Sequence, residues 1–391
     1  MNAEARQAIQ IGRPRRPDGL GTPVEATRDG LKVARKGRGA VNNPPNRFDA
    51  NVASPFDDGW GTLPSDLADL PPLPTEIIRD ASRSIISYNQ SPDIGFDRSV
   101  NSYRGCEHGC VYCYARPTHA YLGYSPGTDF ETKLLYKPEA AQMLERELRK
   151  KNYRAKPIAL GANTDPYQPI DRTLKLTRSV LEVLDRFNHP ATIVTKSAGV
   201  LRDLDILRSM ADRNLVRVYL SITTLDTELA RRMEPRAATP ARRLAAIAAL
   251  SREGIPAAVL AAPMIPGLND SELESILEAA AQANAGQAGY VLLRLPLELA
   301  KMFEEWLHLH YPDRARHVLQ LIRETRAGAL NDSTFGRRFS GEGVYADLLA
   351  RRFERAARKW GLTNHHELDS SKFAVPDLTA RSDSPSQLSF L

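Results

Sequence analysis

From Ile77 to Leu295 the chain alternates short apolar runs with amphipathic periods, and the alternation predicts six strands connected by helices. The first strand is expected over 98–103, and a helix over 138–151 follows, opened by Pro138 and Glu139 and carrying Leu144 and Leu148 on one face. Apolar runs at 157–161, 191–195, 216–222, 257–261 and 290–295 supply the other strands. Between them Leu176, Val180, Leu184 and Phe187 share one helical face, as do Leu244, Ile247 and Leu250. Segment 200–207 follows the third strand, and Asn269 with Glu272 reads as a capping box that opens a helix through Ala283. Strands alternating with helices predict an all-parallel α/β sheet with right-handed crossovers. The periodicity fits a barrel and a doubly wound sheet equally well.

The flanks differ in composition. Residues 1–75 are rich in Arg, Pro, Gly and Asn without a sustained apolar period and are expected to be a basic, mostly disordered segment. The first fifty residues hold ten Lys/Arg against five Asp/Glu, so much of the formal charge of +6 belongs to this segment. Residues 76–296 form the expected core and 297–366 a helical extension, whose Val344, Leu348, Leu349 and Phe353 are expected to pack on the open side of the sheet. Arg351, Arg355, Arg358 and Lys359 lie opposite, as a solvated face or a grip for phosphates. Residues 367–391 read as a second disordered tail. No stretch approaches the roughly 20 apolar residues of a membrane span, and the chain reads as cytoplasmic.

All three cysteines of the chain fall in one run, Cys106-Glu107-His108-Gly109-Cys110-Val111-Tyr112-Cys113. Three soft ligands in a short loop suit an iron–sulfur cluster or zinc, and without a fourth cysteine one position is left to another donor. A structural Cys3His zinc site would use His108 or His119. An odd count with no secretory signal speaks against a disulfide.

The Cys-x3-Cys-x2-Cys spacing with Tyr112 before the last cysteine resembles the signature of the radical S-adenosylmethionine (radical SAM) superfamily. The resemblance implies a partial (β/α)6 barrel whose first strand leads into a [4Fe–4S] cluster loop held by Cys106, Cys110 and Cys113. It also implies SAM chelated to the fourth iron, cleavage of SAM to a 5′-deoxyadenosyl radical that abstracts hydrogen, and an external electron donor of flavodoxin or ferredoxin type. In such folds functional residues gather at the carboxyl ends of strands. There Asn163, Thr164 and Asp165 stand where relatives bind the SAM amino group, in place of the usual Gly-Gly-Glu. Lys196, in a Thr-Lys-Ser run, is implied as partner of the SAM carboxylate, Ser221 as the ribose contact, and Ile265 as part of the segment that packs on adenine. The Asp165-Pro-Tyr-Gln-Pro169 and Thr-Lys-Ser runs resemble relatives of spore photoproduct lyase. The chain lacks the cysteine hydrogen donor of that lyase, which argues against the same repair chemistry. The substrate is unknown, with a nucleic-acid link one expectation; a non-catalytic Fe–S or zinc module that binds nucleic acid is the alternative. Gln387, Leu388 and Phe390 in the final Gln-Leu-Ser-Phe-Leu resemble the peptide with which bacterial replication and repair proteins dock on the DNA polymerase sliding clamp.

Overall fold

A computed structural model describes residues 36–49, 73–364 and 367–377. Its strands are β1 (Glu76–Arg79), β2 (Ile86–Tyr88), β3 (Arg98–Val100), β4 (Tyr103–Arg104), β5 (Lys133–Tyr136), β6 (Ile158–Leu160), β7 (Ala191–Thr195), β8 (Val216–Ser221), β9 (Ala257–Met264) and β10 (Gln287–Leu292). The main sheet runs β10-β9-β8-β7-β6-β3-β2, and β1-β5-β4 form a small second sheet. Each of the six anticipated strands is present, as β3 and β6 to β10, and all five of their pairings are parallel. β2 adds an antiparallel edge to β3. The sheet is open: among the described residues β10 and β2 pair with no further strand.

The helices cover the sheet as their periodicity requires. Helix Leu176–Arg186 buries Leu176, Val180, Leu181, Val183 and Leu184, and helix Pro240–Arg252 buries Ala246, Ile247 and Leu250 beneath Thr239 and a helix-opening Pro240. β7 and β8 alternate buried and half-buried positions, with the fully buried Ile193, Val218 and Leu220 in the core. No helix of the described residues is long and apolar enough to cross a membrane.

Several expectations change. Residues 36–49, assigned by composition to a disordered segment, are packed on the cysteine loop. Arg38 is buried and donates to the Glu131 carbonyl (2.8 Å), and the N–H groups of Gly39 and Ala40 donate to the Glu131 carboxylate at 3.1 and 2.8 Å. Only glycine fits at 39, because a Cβ there would stand 1.7 Å from the Gly109 carbonyl oxygen.

At the other end, the expected tail from 367 begins with a docked stretch. Phe373 lies 5.4 Å from the His189 ring and 5.6 Å from that of Tyr153, and Ala374 N–H donates to Phe187 O at 3.0 Å. The capping box does not form: Asn269 bonds the strand ends through Ile265 N–H, Thr223 O and Pro263 O, and Glu272 accepts from Thr224 and Leu225.

Helix Val344–Lys359 packs beside helix Leu273–Gln282 through Leu349 and an Arg352–Glu274 pair, leaving Val344 83% and Leu348 46% exposed. The helix also meets β10 at the open edge of the sheet, where the Phe353 ring lies 4.8 Å from that of Tyr290, and the loop before the helix crosses the opening. There Phe339 O accepts from Leu292 N–H at the end of β10 (2.8 Å), and Arg338 pairs bidentately with Asp93 beyond β2. Residues 1–35 and the Gln387, Leu388 and Phe390 motif lie outside the described residues.

Candidate active site

The cysteine loop leaves β4 at the carboxyl-end rim of the sheet and is fastened from several sides. Cys106 N–H donates to Phe130 O at 2.9 Å, Glu107 N–H to Gln168 Oε1 at 2.9 Å and Val111 N–H to Met233 O at 2.9 Å. Beneath the loop Arg116 and Glu131, both fully buried, form an ion pair, and Arg116 also donates to Cys110 O at 2.9 Å. Glu131 thus gathers Arg116 and the two amides of the 36–49 segment, so its buried charge is paired and hydrogen-bonded as burial demands.

The three cysteines are free, Cys106 and Cys110 buried and Cys113 half-buried. Burial pushes all three thiols up, Cys110 to about 12, with the charge of Lys196 working the other way there. At Cys113 the opposing charges are Arg116 and Lys196. Such thiols become thiolates only beside a strong cationic centre, which is what a metal supplies. Among the described residues no group of three or more His, Cys, Asp and Glu side chains is arranged to hold a single ion. His108 Nδ1 is engaged by Asp165 Oδ2 at 3.3 Å. His119 is buried between Tyr124 and Phe130, and burial lowers its pKa to about 4. The residues present fit an iron–sulfur group held by three thiolates; His108 is engaged by Asp165, and both ring nitrogens of His119 are buried without a hydrogen-bond partner.

The strand ends deliver the other candidates. Lys196, after β7, donates from Nζ to Ser221 Oγ at 3.0 Å, and its ammonium lies 5.7 Å from the Tyr112 ring centroid. Lys196, Ser221 and Tyr112 therefore meet beside Cys110. Asn163 N–H donates to Asn101 Oδ1 at 3.1 Å, and the half-exposed Asn163 side chain has no hydrogen-bond partner among the described residues.

Thr164, Asp165 and Ile265, expected to touch SAM, each make contacts within the chain. Asp165 accepts from Tyr167 N–H (2.9 Å), the Thr195 hydroxyl (2.7 Å) and Lys196 N–H (2.7 Å) while facing His108. Burial alone would raise its pKa; His108 and these donors outweigh burial and hold it at about 2. Its lone pairs are used up, so Asp165 orients the β6 and β7 ends. Thr164 is buried and donates to Tyr103 O at 3.0 Å. Ile265 is fully buried in the apolar cluster that includes Cys110, Val111 and Tyr112, so it supports the loop from within.

One group escaped sequence reasoning. Tyr112 O–H donates to Glu234, which forms a buried ion pair with Arg243 (2.6 Å), and Arg243 donates to Ser221 O at 2.8 Å. Arg243 sits in an ordinary helical period and carried no signal.

Comparison with known proteins agrees with this geometry. The model of the radical SAM superfamily matches residues 100–280. An uncharacterised protein of Mycobacterium tuberculosis (strain H37Rv) is 37% identical over 230 residues, covering 58% of this chain and 68% of that one. An uncharacterised protein of Methanocaldococcus jannaschii is 28% identical over 238 residues, 61% of this chain and 85% of its own. A solved structure of spore photoproduct lyase complexed with dinucleoside spore photoproduct shares the fold at a TM-score of 0.52 and 15% identity, covering 73% of this chain and 79% of that one. With the cysteine loop inside the matched stretch and a relative aligned over more than two thirds of its length, the chain belongs to the radical SAM superfamily, enzymes that work with SAM, an iron–sulfur cluster and an external electron donor.

Proposed function

We propose that Cys106, Cys110 and Cys113 hold a [4Fe–4S] cluster and that SAM binds beside it across the carboxyl ends of β6 to β9. The observation that carries this reading is the meeting of three free cysteines, two buried and one half-buried, with Lys196, Ser221 and Tyr112 at one rim of a parallel sheet. When bound and reduced, the cluster supplies the electron that cleaves SAM and yields a 5′-deoxyadenosyl radical for hydrogen abstraction.

The chain's own residues do the rest. Lys196 offers an ammonium to the SAM carboxylate, and Ser221 a hydroxyl to the ribose. Asn163 offers an amide to the SAM amino group. The Tyr112–Glu234–Arg243 chain fixes the Tyr112 ring against the lysine and keeps buried charge paired. Anaerobic reconstitution is expected to load about four iron and four sulfide per chain, with each Cys→Ala variant losing them; tightly bound zinc without iron would overturn the assignment.

A nucleic-acid-linked substrate and a sliding-clamp partner belong to the same proposal, supported by the basic first fifty residues and by Gln387, Leu388 and Phe390. A short peptide of this kind docks by ordering few residues. A synthetic peptide of the last ten residues is expected to bind the clamp at micromolar level, about −8 kcal/mol, and to lose binding when Gln387 and Phe390 become alanine. Absence of binding at hundreds of micromolar would remove the clamp from the account.

A further inference from the structure

Arg294 follows β10 at the opposite edge of the sheet from the cysteine-bearing strand, yet it reaches the cysteine loop. Its guanidinium carbon lies 5.5 Å from the ring of Tyr114, the residue after Cys113, and 4.7 Å from the ring of Phe339. Tyr114 in turn donates its hydroxyl to Ala162 O, next to Asn163. Arg294 thus stands where the two edges of the open sheet approach each other, at the mouth that holds the cysteines.

Its charge is unmatched there. Among the described residues the Arg294 guanidinium makes no hydrogen bond and no ion pair, and its Nε is buried without a partner. Its neighbours are committed elsewhere: Arg338 to Asp93 through two hydrogen bonds, and Arg326 to the carbonyls of Leu293 (2.7 Å) and Arg337 (2.9 Å). Arg294 is half-buried, whereas Arg116 and Arg243, fully buried in the site, each have a carboxylate. Burial and the like charge of Arg338 lower the Arg294 pKa, and the smaller opposing pulls of Tyr114 and Asp93 do not offset them, so the cation is held at a cost among the described residues. Aromatic rings on a guanidinium's faces leave its edge free, and that edge is a planar fork suited to two oxygens. Beside it Tyr114 is 45% exposed, offering flat apolar surface next to the cation, and Phe335, 56% exposed, lies 4.8 Å from the guanidinium carbon of the neighbouring Arg338.

We infer that Arg294, stacked on Tyr114 and Phe339, is the docking point for an oxyanion of the substrate, a phosphate ester or a carboxylate, at the mouth facing the cysteine loop. The inference rests on the proposed SAM-dependent reading of that mouth for the word substrate, whereas the anion site stands on Arg294 alone.

The test is a calorimetric titration of the full-length, cluster-loaded protein with inorganic phosphate, a 5′-phosphorylated dinucleotide and succinate, with SAM titrated separately. At least one oxyanion is expected to bind saturably below about 10 mM, and Arg294→Gln to weaken it about tenfold or more with SAM affinity unchanged. Arg294→Lys, which keeps charge without the fork, is expected to fall between, and it carries the test if the glutamine variant does not fold. Binding of the phosphate probes alone assigns a phosphate ester, and of succinate alone a carboxylic acid. The inference is overturned if no probe binds, if Arg294→Gln binds as wild type, or if that variant loses SAM affinity equally, which would make Arg294 part of the SAM site. A wild-type protein that binds an oxyanion but not SAM would retain the anion site and sink the reading of the mouth as a SAM site. An arginine that only props Tyr114 against Phe339 would lower the melting temperature of the unliganded variant and leave every affinity as it was.

Discussion

Asp165 ties Tyr167, Thr195, Lys196 and His108 together, so one carboxylate sets the relation of the β6 end, the β7 end and the cysteine loop. Because Lys196 is held through its backbone by Asp165, its ammonium is free to work at the other end, where it now rests on Ser221 and above Tyr112. Replacing the ammonium removes a charge-assisted contact to a carboxylate, worth ~1.5–3 kcal/mol. Lys196→Ala is therefore expected to raise the SAM dissociation constant roughly 10- to 150-fold in equilibrium binding, with iron content unchanged. An unaltered SAM affinity would retire Lys196 as the carboxylate partner. The residue types at the strand ends were legible in the sequence; which of them are turned inward was not, because Asp165 and Thr164 are used up by partners 30 or more residues away.

Segment 36–49 acts as a brace for the cysteine loop. Its amides complete the coordination of Glu131, which pairs with Arg116 under Cys110, and Gly39 meets Gly109 so closely that no side chain fits. Gly39→Ala is expected to push the brace off the loop, costing about 1–3 kcal/mol as overpacking does, and to open 36–49 to proteolysis in limited digests. A variant as stable and as protease-resistant as wild type would show that the brace is dispensable. This element was hidden in the sequence for a physical reason. Apart from Ala40 and Val41, which joins the apolar cluster of the loop, its burial comes from hydrogen bonds and charge, with Arg38, Gly39 and Asn46 in place of an apolar period, so composition reads it as tail. Among the six parallel strands β6 to β9 were legible because each buries a short apolar run between amphipathic helices. The docked stretch at Phe373 was missed because one aromatic residue fixes it among Tyr153, Phe187 and His189.

At the scale of the whole molecule, an open parallel sheet presents its carboxyl-end rim as one mouth. The cysteine loop enters from β3 and β4, Lys196 and Ser221 from the middle strands, and Arg294 from β10, while the Arg338–Asp93 pair bridges the gap between the outer strands. This layout brings groups far apart in sequence to one side of the sheet, as the fold rule for parallel α/β proteins requires. Its central claim is that the mouth cleaves SAM. The most direct test is to incubate the anaerobically reconstituted, reduced full-length protein with SAM and to quantify 5′-deoxyadenosine. Wild type is expected to release it slowly even without substrate, and the Cys106→Ala, Cys110→Ala and Cys113→Ala variants to release none. Wild-type protein that holds iron and binds SAM yet produces no 5′-deoxyadenosine under reducing conditions would contradict the account.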